Sequence, residues 1–214
     1  MAIEKVPQSL EEVFSGLEKI EGDVLSLFES HTSSSSTFYN ANLVLWGVGN
    51  RTISQCRGFA SMLRDRNFSC SSAILRMQLD TVLRLYAGFL YGHIGEYAEK
   101  IFAGAVISTL RSKSGKRLYD RFLVKELAKQ QPWIKPVYEN CSGSIHLSQR
   151  HIMLALGEVS DDGSIQMQIG PSDRHVDEQL FLELGQAFLH TTVLSIQMID
   201  EWHMAIPRAA GQEN

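Results

Sequence analysis

The sequence predicts an all-α protein: a multi-helix bundle with one β-hairpin inserted before a long C-terminal helix. Three observations carry this. Apolar residues recur at three- and four-residue steps over most of the 214 residues, the spacing of one helix face. Strict alternation of apolar and polar residues, the mark of a half-buried strand, occurs only around Ser164 to Ile169. Polar turn sequences fall between the periodic stretches. A single domain over residues 1–206 is expected, with the hairpin at about 151–169 and residues 207–214 as a flexible tail.

The first helix runs from Gln8 to Ser30, where Leu10, Val13, Phe14, Leu17, Ile20 and Val24 share a face. The serine run Ser33 to Ser36 punctuates the chain, because serine favours caps and turns. A second helix follows from Phe38 to about Arg66, with a bend expected near Gly47 to Gly49. Asn67 to Ser71 reads as a turn into a third helix, Cys70 to Tyr91, which Gly92 is placed to end. A helix over Glu96 to Leu110, the polar loop RSKSG at Arg111 to Gly115, and a helix over Arg117 to Gln130 come next. Pro132 and Pro136 suit the first turn of a helix carrying Tyr138, Ser142 and His146. The segments Ile152 to Val159 and Ser164 to Ile169 flank SDDG and form the hairpin, one face buried against the bundle or against a second subunit. Arg174 to Met204 is the last helix, stopped by Pro207.

With 44% hydrophobic and 21% charged residues, there is apolar material for a sizeable core. A formal net charge of −4 gives no global bias towards DNA or an anionic membrane. Cys56, Cys70 and Cys141 form no CxxC pair and leave one thiol over. They read as reduced thiols in a cytoplasmic setting, Cys141 as a core thiol. Acids among the first apolar residues argue against a secretory leader. No phosphate loop, dinucleotide fingerprint, nucleophile elbow or HExxH pattern is present. His190 and His203 lie too far apart on one helix to share a metal. No cofactor and no metal are therefore expected.

The candidate site comes from Arg76, Asp80 and Arg84, four residues apart on the third helix and so stacked in one line. Charges near a core need partners. Tyr138, Ser142 and His146, also four apart, are the partners expected. One interpretation has Asp80 bridging both arginines. The other is an anion site, since guanidinium forks suit phosphate or carboxylate, with His146 as general acid or base.

The segments SSAILRMQLDTVLRLYAGF (Ser71 to Phe89) and YENCSGSIHLS (Tyr138 to Ser148) together resemble a loose group of uncharacterised bacterial helical-bundle proteins distantly similar to the HEPN superfamily. That resemblance implies a small helical bundle, often dimeric, in stress or defence systems, many of whose members cleave RNA with an Arg and His pair. None of the seven histidines here follows an arginine by the four to six intervening residues of the nuclease members. Members without that motif look like binding or regulatory partners. The expected function is accordingly a binding or regulatory module in bacterial stress or defence, a homo-oligomer with a protein or RNA partner. The alternative is a metal-independent HEPN-like RNase using His146 with Arg76 and Arg84.

Overall fold

The computed structural model describes residues 6–32, 39–159, 163–167, 169–170, 173 and 175–206. The serine run, residues 160–162 of the SDDG turn and the expected tail at 207–214 lie outside these residues. Helix α1 spans Leu10–Thr32 and turns Val13, Leu17, Ile20 and Val24 inward, four consecutive positions of one helical stripe. Helix α2, Asn40–Arg64, continues as one helix through Gly47 and Gly49. Gly49 has a packing role: a Cβ there would lie 2.5 Å from Phe28 Cε2. Only a glycine lets that ring rest on α2.

Helix α3, Phe68–Tyr91, begins two residues before the expected Cys70, inside the stretch read as a turn, and ends at Tyr91 as expected. The Asn67 side chain accepts a hydrogen bond from the Cys70 amide, and Gly92 closes the helix with a left-handed backbone at φ 90°. Helix α4 is shorter than expected, Ile94–Phe102 rather than Glu96 to Leu110. It ends at Gly104, whose left-handed φ of 77° breaks the helix before a 3-10 turn at Ile107–Thr109. Helices α5, Asp120–Leu127, and α6, Ile134–Ser142, are also shorter than their patterns. The helix expected to carry His146 stops at Ser142, and Gly143 begins a turn.

Helix α7, Gln149–Ala155, occupies the start of the expected hairpin. The hairpin with one buried face, over about 151–169, is not seen. Among the described residues of that stretch, β1, Leu156–Val159, and β2, Ile165–Met167, pair antiparallel, with an irregularity between Leu156 opposite Met167 and Val159 opposite Ile165. The alternating residues meant for burial stay in solvent, Ile165 at 55%, Met167 at 63% and Ile169 at 98% exposure. So short a ladder cannot supply a layer of the core, which is built mainly from helices, with Leu118, Val176 and Ile206 added from the segments between and after them.

Helix α8, Glu178–Ala205, lies at the centre, packed on α1, α2 and α3. Phe188 stacks on Phe59 with ring centroids 3.9 Å apart. Trp202 is fully buried, its indole N–H donating to the Leu85 carbonyl at 3.0 Å. Its ring lies so close to Gly88 that a Cβ there would come within 2.3 Å of Cζ2. Each fully buried leucine of this core, such as Leu79 or Leu83, contributes about 1.5–3 kcal/mol through removal from water. No helix among the described residues is long and apolar enough to cross a membrane.

Candidate functional site

Packing of α5 and α6 against α3 turns the line of Arg76, Asp80 and Arg84 into a shared seam. Arg84 donates to Asp80 Oδ1 at 2.6 Å, one turn away on the same helix. Arg84 also donates to Asp120 Oδ1 at 2.6 Å, and Arg76 donates to Asp120 Oδ2 at 2.9 Å. The bridging acid is therefore Asp120, not Asp80. Asp120 opens the first turn of α5, where a carboxylate also meets the positive end of the helix dipole.

Tyr138, on α6, completes the cluster. Arg76 donates to its hydroxyl at 3.0 Å, and the hydroxyl donates to Asp120 Oδ2 at 3.2 Å. The Arg76 guanidinium also lies over the Tyr138 ring, 4.3 Å from the centroid, a cation–π contact that removes further charge from solvent. From α4, the Tyr97 hydroxyl donates to the Arg84 carbonyl at 2.9 Å and anchors the α3 backbone below the network.

The electrostatics follow from this packing. Burial pushes the Asp120 carboxyl up, but the guanidinium charges of Arg84 and Arg76 outweigh it and hold the group below the usual carboxylate range. Burial opposes the charge of Arg84 as well, yet Asp80 and Asp120 raise its pKa. Burial raises the Tyr138 phenol, so it remains a neutral donor. Two arginines thus face two aspartates with no excess of charge to hold an external anion. The seam is partly withdrawn from solvent, the Arg76 side chain being 14% exposed and that of Asp120 30%.

The remaining site residues separate from it. Ser142 donates from Oγ back to the Tyr138 carbonyl at 2.6 Å, a bond within its own helix, and makes no contact with the arginines among those described. His146 is exposed on the turn after α6 and has no hydrogen-bond or ion-pair partner among the described residues. Its place one turn beyond Ser142 on a continuous helix is not realised, because the chain leaves the helix at Gly143. Ser144, in that turn, donates to the buried Ser72 hydroxyl at 2.8 Å and ties the turn to α3.

Two features escaped the sequence. Asp120 lies 36 and 44 positions from the arginines it pairs, with no local signal beyond an acid in a first helical turn. His31, on α1, bonds Asp200 Oδ1 through Nε2 at 2.8 Å and stacks on His203 with centroids 4.2 Å apart. Burial, and then the neighbouring His31, pull the His203 imidazole down to about 4. Among the described residues no group of three or more His, Cys, Asp or Glu side chains is arranged to hold a metal ion. Cys141 is buried and Cys56 is buried with its thiol pushed up to about 12, largely by burial, so Cys56 stays protonated and unreactive. Compared with known proteins, the chain matches no family model, no curated protein and no solved structure.

Proposed function

We propose that this protein is a non-catalytic helical module that binds or regulates a partner, of the kind that serves bacterial stress or defence responses, and that it acts as a homo-oligomer. The observation carrying the non-catalytic reading is the closure of the seam: Arg76 and Arg84 are satisfied by Asp120, Asp80 and Tyr138. A phosphate-binding role would need those donors to face a substrate. A general acid or base would need to stand beside them, and the exposed His146 bonds to none of them. The seam instead joins α3, α5 and α6, as a partly buried ion network fixes helix register.

The decisive experiment incubates the purified chain with mixed RNA beside a His146→Ala variant. The expected result is no cleavage by either protein. Cleavage by the parent chain that disappears in the variant would overturn the proposal in favour of the metal-independent RNase. Sedimentation across a concentration series tests the homo-oligomer, which a monomer at every concentration would exclude.

A further inference from the structure

Between α1 and α2, away from the seam, lies a cavity of about 430 Å³. Its walls include Leu25, Phe28 and Glu29 from α1 and Trp46, Asn50 and Ile53 from α2. That volume falls in the range of about 300–1,000 Å³ typical of small-molecule sites, which are mostly apolar with a few placed polar groups. The walls here follow that composition.

The aromatic pair has a definite architecture. Phe28 and Trp46 meet edge to face, centroids 5.9 Å apart and planes at 73°. Phe28 is held from two further sides, by the bare backbone of Gly49 beneath it and by the His203 ring, which it meets at 80° with centroids 5.3 Å apart. Trp46 keeps 50% of its surface exposed, although a tryptophan of this size is usually largely covered. Trp46 has a further contact within the molecule besides the Phe28 ring, and it is the half of its surface left open that a ligand in the cavity would meet.

Charge selects the ligand's sign. Glu29 is the one ionisable side chain among the described residues lining the cavity, and it is acidic. It also has a contact within the molecule, and its side chain is exposed. The electron-rich faces of indole and phenyl rings attract cations, most strongly for tryptophan. An anion would meet repulsion from Glu29.

We infer that this cavity binds an organic cation, an ammonium centre carried on an apolar or aromatic body. The cation lies by Trp46 and Glu29, and the apolar body fills the space by Leu25 and Ile53. This inference deepens the binding-module reading and rests on it, naming the class of ligand.

Calorimetric titration of the full chain with benzyltrimethylammonium, benzyl alcohol and phenylacetate tests it. The cation is expected to bind about tenfold more tightly than the alcohol, as a cation–π and charge contribution of this kind implies, and phenylacetate more weakly still. Trp46→Leu should weaken the cation by about fivefold or more. Glu29→Gln, an exposed substitution that leaves the core intact, should weaken it by about threefold, with the loss shrinking as salt is raised. Equal binding of all three compounds, no binding of the cation at millimolar concentration, or indifference to both substitutions would overturn the inference. A dimer that Trp46→Glu dissociates would also overturn it, by assigning the groove to a second copy of the chain. Failure of the titration leaves the closed seam and the RNA result as they stand. RNA cleavage dependent on His146 would remove the binding-module reading whatever the titration showed.

Discussion

At the α3–α5–α6 seam, two arginines close on two aspartates and a phenol, whereas at the α1–α8 junction two histidines stack beside a single carboxylate, Asp200. The first arrangement keeps its charges wherever carboxylates are ionised. The second holds a titratable ring, His203, in its neutral form by burial and by the neighbouring His31. Half-buried polar groups therefore do different things here according to whether opposite charge is supplied from another helix. One region is a fastening and the other a place where protonation matters.

The contrast is broken most sharply at Asp120. Asp120→Ala leaves Arg76 and Arg84 with one carboxylate between them, and the expected loss is about 2–3 kcal/mol, discounted from fully buried pairs because the seam is partly wet. Thermal unfolding should then move down by roughly 5–10 °C for a chain of this size. An unchanged melting temperature would show that the network contributes nothing to stability. Gly88→Ala, in the core shared by both regions, should cost about 1–3 kcal/mol, since the new methyl collides with the Trp202 ring. Calorimetry of that variant separates core packing from the seam.

The pH dependence sharpens the comparison further. As pH falls from 6.5 to about 4, unfolded chains protonate at position 203 while the folded ring stays neutral. The unfolded state binds more protons, so stability declines across that window. The decline is on the order of 1 kcal/mol after allowance for solvent screening of a partly exposed ring. His203→Phe, which retains a ring against Phe28 and His31, should flatten the slope, leaving the smaller contribution of His190, whose pKa burial also lowers. The seam behaves differently. The Asp120 carboxyl lies below its ordinary value of 3.8, so its stabilisation is intact above that pH and is lost only as pH falls through the lower folded value. Melting curves at pH 7, 5 and 3 distinguish the two windows.

The smallest effects belong to residues the sequence singled out. Ser142→Ala removes only a bond to its own helix and should shift stability by less than about 0.5 kcal/mol. His146→Ala, on an exposed turn, should leave the melting curve unchanged. A marked drop for either would reveal a contact beyond those described.

The helical class was legible because helix formation is dictated over short stretches. The stripe of Val13, Leu17, Ile20 and Val24 and the Gly92 stop both act within a few residues. Half of the seam was legible for the same reason: Asp80 and Arg84 sit one turn apart and do pair. Arg76 meeting Tyr138 was also anticipated, from matching four-residue spacings on two helices. The failures share one cause. Alternation at Ile165, Met167 and Ile169 implied a covered face, but nothing in those residues supplies the cover, and they remain in solvent. Spacing from Ser142 to His146 implied a helix, but Gly143 lies at its end and the turn beyond is tied to α3 by Ser144.

Sequence by itself determined that the chain is helical, which face of α1 turns inward and which charges could meet within one turn, because those outcomes depend on backbone geometry over distances of a few residues. Tertiary structure alone decided that Asp120 bridges the two arginines, that His31 stacks on His203, and that Phe28 seats on Gly49 beside Trp46 to wall a cavity. Those contacts join residues tens of positions apart or more, and they arise only once shape and volume have chosen how the helices pack.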